Sequence, residues 1–228
     1  MLVAAAACPC PPLLVPEVAA GAAPELDAAR AACDEALAAL LAAEPDLVCV
    51  IGEGPRATVH EPGARGTFRP FGVDLDVHLG APSDATEATL PPSLSVGAWL
   101  LARAGWTGDV RGYEVTGDGP AFDPSEGGAE RVALLVMGDG TACRTLKAPG
   151  YLDERAAGVD AAIGAALRDL DADGTLANLD ADLARELKIS GRAPWQLLSA
   201  AWDKRDGTGR LLYEDAPYGV GYFVASWT

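Results

Sequence analysis

Five cysteines, two histidines and a few glycine-flanked carboxylates are the residues of this chain whose types and spacing could do chemistry. Cys8 and Cys10 form a Cys-Pro-Cys at the end of the apolar run "MLVAAAA". Such a pair could hold a soft metal or cycle as a redox couple, but a tetrahedral site needs four ligands. Cys33 falls on an apolar helix face, Cys49 inside a buried-strand pattern and Cys143 in a loop, so isolated reduced thiols are expected. His60 and His78 have no second ligand at chelating spacing, and no G-x-S-x-G serine accompanies them, so a Ser-His-Asp triad has no support. "GEGPRA" at Gly52 to Ala57 matches G-x-G-x-x-A, yet Pro55 and the following "TVHEPGARG" read as strand and turn where a dinucleotide site requires a helix. No phosphate-binding G-x-x-x-x-G-K-[ST] occurs. "DADG" at Asp171 to Gly174 has its glycine too early for a calcium loop and lacks the closing glutamate, which leaves a solvated interhelix turn.

The elements that would position these residues follow from periodicity. Short apolar runs predict buried strands at 2–7, 47–51 and 131–137, and helical spacing predicts a helix over 24–43. Further strands are expected at 57–60, 72–79, 110–115, 210–213 and 220–227, and further helices at 93–104, 153–170, 181–188 and 194–202. Strands that are apolar throughout and alternate with helices indicate an α/β fold, a single domain spanning 1–228 with a central mostly parallel or mixed sheet and helices on both faces. Three buried strands end in unusual loops, after Ala7, Ile51 and Met137. The ligand crevice of such sheets lies outside the carboxyl ends of the strands. The acidic, Gly-rich loop at 116–130 is read as a solvated insertion that could cover this crevice.

The formal charge of -16 argues against nucleic acid and anionic membrane surfaces as partners, since phosphates would be repelled. No run reaches the ~18–20 apolar residues of a membrane span. An odd number of cysteines without a framework of pairs points to a reducing cytoplasm. Small residues precede Cys8 as in a lipoprotein signal, but the run is short and no Lys or Arg comes before it.

Five segments together resemble the LigB-like class III extradiol ring-cleavage dioxygenases and the related Memo-like proteins. "CPCPPLLVPEV" resembles their "PHPPLLVPEVG", "VCVIGEGP" is similar to "VVISPHGP", and "LLVMGDGTACR" looks like "SGDLSHR". "ISGRAPWQLLSA" resembles "CGRHPIGVLLNA", and "LLYEDAPYGVGYFVASW" is close to "YEGPFGVGYLVA". The resemblance implies an α/β fold and, in ring-cleaving members, an Fe(II) held at the strand ends by two histidines and a carboxylate, with a further histidine as acid/base. Memo-like relatives use two histidines and a cysteine there.

Carried over residue by residue, the first ligand histidine falls on Cys10, the second on Glu53, the acid/base histidine on Ala142 and the Memo-type cysteine on Ser190. The pocket that the resemblance outlines therefore holds Cys10, Glu53, Asp139, Thr141, Ser190 and Tyr218, with no catalytic residue assigned. The expectation is a LigB-like protein with a degenerate metal site and no resident cofactor, binding a small molecule or protein partner. The alternative is a metal-dependent oxidoreductase or ring-cleavage dioxygenase using Fe(II) or Zn(II) on Cys10 and Glu53. A third possibility is a metal-free enzyme with Cys10 as nucleophile, which requires a depressed thiol pKa. Family analogy and the aromatic residues Trp195, Trp202 and Trp227, read as exposed, suggest a homo-oligomer, though core packing explains these tryptophans equally well.

Overall fold

The computed structural model describes residues 1–82, 89–117, 128–202 and 207–228. In chain order the elements are β1 (Leu2–Cys8), α1 (Pro16–Ala19), α2 (Asp27–Ala42), β2 (Leu47–Glu53), β3 (Thr58–His60), β4 (Arg65–Thr67) and β5 (Asp76–His78). There follow α3 (Pro92–Arg103), β6 (Asp109–Val115), β7 (Val132–Met137), α4 (Ala156–Arg168), α5 (Ala181–Leu187), α6 (Arg192–Ala201), β8 (Gly209–Asp215) and β9 (Tyr222–Trp227). The seven-stranded sheet has the order β3-β6-β2-β7-β1-β9-β8, and β4 and β5 form a separate two-stranded ribbon.

The four central strands, β6, β2, β7 and β1, run parallel. β3 closes one edge antiparallel to β6, and the β8–β9 hairpin closes the other antiparallel to β1. The sheet is thus mixed with a parallel centre, and all four central strands deliver their carboxyl ends to one edge.

Alternation along each buried strand separates two cores. Val48 and Val50, Ala133 and Leu135, and Tyr222 and Val224 face the side covered by α2 and α3. Cys49 and Ile51, Leu134 and Val136, and Phe223 and Ala225 face the side covered by α4, α5 and α6. Every residue of β7 is buried, and each Leu or Val removed from water there stabilises the fold by roughly 1.5–3 kcal/mol. The alanine run of β1 has low strand propensity, but Ala4 to Ala7 are buried between two helical layers and tertiary packing decides their state.

Several expectations shift in detail. The helix expected from Pro24 starts at Asp27, because Ala20–Leu26 winds as a tighter 3-10 turn. The segment expected as one strand over 72–79 contributes only Asp76–His78, paired with β4, which alternation over so few residues did not reveal. The expected 116–130 loop falls largely on 118–127, outside the described residues. The tryptophans are not an exposed face. Trp195 and Trp227 are each 1% exposed, Trp195 packs edge-on to Phe223 at 6.0 Å, and Trp227 donates to the Leu167 carbonyl at 2.6 Å. Trp202 is half-buried and packs edge-on against Trp227.

Candidate functional site at the strand ends

The site begins where β1 and β7 stop side by side, with Cys8 in register with Met137 and the Gly138 amide donating to the Cys8 carbonyl at 3.0 Å. Pro9 then carries the chain to Cys10, whose amide donates to Asp139 Oδ1 at 2.8 Å. The Asp139 amide donates to Ser190 Oγ at 3.1 Å, and the Gly191 amide returns a bond to the Asp139 carbonyl at 2.9 Å. This contact needs glycine on both sides. A Cβ on Gly138 would lie 2.4 Å from Gly191 Cα, and one on Gly191 would lie 2.4 Å from the Trp195 ring.

Cys10, Asp139 and Ser190 therefore form one cluster, with the Cys10 thiol against the Asp139 carboxyl and the Ser190 hydroxyl. Burial pushes the Asp139 carboxyl up to about 7, against the opposing effect of the Cys10 amide and thiol. Burial, then the Asp139 charge, pushes the Cys10 thiol well above its usual range, while Ser190 partly offsets the rise. Tyr222, at the start of β9, belongs to the same cluster: its phenol is raised by burial and by Asp139 and Cys10. The couple consists of a neutral thiol and a carboxyl that exchanges its proton near neutral pH.

Glu53 ends β2 as an exposed residue at the rim of an adjoining cleft. Desolvation raises its carboxyl, and Arg192 opposes that rise. The cleft encloses about 430 Å³ and is lined by Glu53, Gly117, Arg185, Lys188, Ser190 and Arg192, among others. Ser190 joins it to the thiol–carboxyl couple.

Two expected pocket residues stand apart from this cluster. Thr141 is fully buried and structural: its amide and hydroxyl both donate to Asp160, at 2.9 Å each. Tyr218 is half-buried, with burial and Glu25 raising its phenol, and it lines a separate hollow with Thr145, Leu146, Lys147 and Pro217. Ala142 is buried, its amide bonded to the Leu187 carbonyl. Asp160, Arg185, Lys188, Arg192 and Tyr222 were not anticipated. Tyr222 alone had a usable signal, since a strand paired to β1 places it on the Cys10 side of the sheet.

The remaining motifs resolve into structure. Cys8 is buried against Cys33, away from Cys10, so Cys8 and Cys10 are not a pair. His60 Nε2 lies 2.9 Å from Glu114 Oε2, both side chains buried. Asp171 of "DADG" accepts from the Leu176 and Ala177 amides at 2.7 and 3.0 Å and from Ser199 Oγ at 2.6 Å, which ties the turn to α6.

Among the described residues no group of three His, Cys, Asp or Glu side chains could hold a metal ion. The donors at the strand ends fit Fe(II) or Zn(II) poorly: one Asp139 oxygen is engaged by the Cys10 amide, and no imidazole stands among them. A raised thiol also opposes the expectation of Cys10 as a thiolate nucleophile, because the thiolate is the reactive form.

Fold and site together define an α/β protein with a polar cleft at the carboxyl edge of its parallel strands, joined through Ser190 to a buried thiol–carboxyl couple. Compared with protein-family models the chain finds no match, and compared with curated proteins it finds no similar sequence. No helix among the described residues is long and apolar enough to cross a membrane.

Proposed function

We propose that the chain is a LigB-like protein of the class III extradiol dioxygenase superfamily whose metal site has degenerated, and that it binds a small molecule at the strand ends without ring-cleavage chemistry. The observation that carries this reading is convergence. The segments that resemble the family, around Cys10, Glu53, Asp139 and Ser190, come from distant parts of the chain and meet at one sheet edge. At the positions where the resemblance would put ligand histidines stand a thiol held neutral and a rim carboxylate.

A cleft of about 430 Å³ suits a small molecule better than a protein partner. Behind Ser190, which lines the cleft, stands a carboxyl able to give or take a proton near pH 7. The runner-up, a metal-dependent oxidoreductase on Cys10 and Glu53, lacks a third donor. A cytoplasmic location is part of the proposal and is supported by five free, buried cysteines. A homo-oligomer rests on family analogy alone.

Elemental analysis of protein purified without chelators tests the reading. Iron and zinc are expected well below one atom per chain, with no O₂ uptake on catechols after anaerobic Fe(II) loading. Stoichiometric metal that disappears in Cys10→Ala and Glu53→Ala would overturn it.

A further inference from the structure

The charges of this molecule are unevenly distributed. Acidic residues number 33 against 17 Lys and Arg, yet among the described residues the ionisable ones lining the strand-end cleft are Arg185, Lys188 and Arg192 against Glu53. The arginines elsewhere are mostly neutralised. Arg30, Arg56, Arg65, Arg69, Arg103, Arg111, Arg144, Arg155, Arg168 and Arg210 all sit in ion pairs with carboxylates. Arg131 directs its guanidinium to the carbonyls of Ala43 and Glu44.

The cleft cations differ. Among the described residues Lys188 has no ion pair, and Arg192 has none either, donating only Nε to the Leu179 carbonyl at 2.7 Å. Arg185 pairs at 2.7 Å with Asp182, a contact between two largely exposed side chains that is worth little. Glu53 lies within electrostatic reach of Arg192, but no ion pair joins them. A concave wall focuses the field of such charges, which attract anions into it even when the molecule as a whole repels them.

We propose that the ligand of this cleft is a small organic anion whose carboxylate or phosphate is held by Arg185, Lys188 and Arg192 and whose other end reaches Ser190. Both headgroups present the same chemistry, a compact oxyanion that guanidinium groups hold by charge-assisted hydrogen bonds. The cleft, at about 430 Å³, exceeds a bare oxyanion and leaves room for a ring or short chain over Ser190. The inference rests on the strand-end cleft being a ligand site, as proposed above.

The test is titration of protein verified as metal-free with inorganic phosphate and, separately, with benzoate, at low ionic strength and followed by amide NMR shifts. Saturable shifts confined to residues 184–193 and to Glu53 and Gly117 are expected, weakening as salt is added. Saturation by phosphate alone assigns a phosphorylated ligand, and saturation by benzoate assigns a carboxylate. Arg185→Gln with Lys188→Gln, two exposed sites whose loss leaves the fold intact by circular dichroism, should weaken binding about tenfold or more. Glu53→Gln should tighten it several-fold by removing the carboxylate that lines the cleft. Arg168→Gln with Arg210→Gln, at the end of α4 and on β8, removes the same two positive charges outside the cleft and should leave binding within about twofold.

No saturable shift with either anion overturns the inference, as does equal weakening by Arg168→Gln with Arg210→Gln. That failure is separable from failure of the function proposed above, which is read by bound metal. A metal-loaded protein that binds anions sinks the degenerate reading and keeps the anion cleft. A metal-free protein that ignores both anions does the reverse.

Discussion

Two aspartates flank Thr141 in space and show opposite ways of burying a carboxylate. Asp160, from α4, is fully buried, and its two oxygens receive the Thr141 amide, the Thr141 hydroxyl and the Arg144 guanidinium, each at 2.9 Å. Asp139, two residues before Thr141, receives one amide and a thiol, with no cation paired to it among the described residues. The first arrangement satisfies a charge and fixes a loop. The second leaves the carboxyl under-solvated, so its proton becomes exchangeable near neutral pH. Structural and titrating carboxylates are thus separated by donor count, both beside the loop that leaves β7.

The hardest way to break the comparison is to remove the satisfied member. Asp160→Ala would strand the Thr141 amide and leave Arg144 without its carboxylate, while Gly140 and Gly221, which approach Asp160 too closely for a Cβ, would line a void. A loss of about 3–5 kcal/mol in chemical denaturation is expected. A loss under about 1 kcal/mol would show that the network is not what holds the loop.

Asp139→Asn sharpens the contrast through pH. The folded carboxyl titrates at about 7 and the unfolded one near 3.8, so between these values the native state binds more protons than the unfolded chain. Asp139 therefore lowers stability progressively from about pH 4 to 7, and no further above that. The asparagine variant keeps an acceptor for the Cys10 amide and removes the titration. Its stability relative to the parent should rise across that window by on the order of 4 kcal/mol and then level off. A difference independent of pH in urea unfolding would put Asp139 with Asp160 as a structural group.

Gly138→Ala tests the geometry that brings the titrating carboxyl to Ser190. The added methyl meets the Gly191 backbone, which cannot swing aside as a flexible side chain would. A cost of about 1–3 kcal/mol is expected, with the Asp139 titration drifting toward the ordinary carboxylate range as the loop opens. An unchanged titration in the asparagine-referenced measurement would separate the glycine contact from the site.

The layers were legible in the sequence because β2 and β7 are uninterrupted apolar runs and α2 keeps helical spacing over 16 residues. β4 was not legible, since three residues, two of them polar and one glycine, carry no alternation. At the site, Asp139 and Ser190 came only from the family resemblance of the segments around them, while the pattern of the strands located the edge at which they meet. Asp160 and Arg192 were not, since what defines them is a contact across the fold: Asp160 with Thr141 is 19 residues distant, and Arg192 with Leu179 is 13. Composition hid the basic cleft altogether, because a formal charge of -16 says nothing about where the few cations gather.

The smallest effect concerns the thiol that shares the buried cluster with Asp139. Ser190 is the one neighbour that favours the Cys10 thiolate, and its oxygen also accepts the Asp139 amide. Ser190→Ala should cost about 1 kcal/mol for the lost acceptor. It should also push the Cys10 pKa further up, leaving less thiolate at any given pH. Alkylation of Cys10 by iodoacetamide, followed by mass spectrometry of its peptide, should then slow several-fold near pH 9 relative to the parent, while Ser190→Thr retains most of the rate. If alkylation quickens in the alanine variant, access and not thiolate population limits the reaction. The low reactivity of Cys10 would then reflect its 8% exposure, and the electrostatic coupling of the thiol to Asp139 would lose its support.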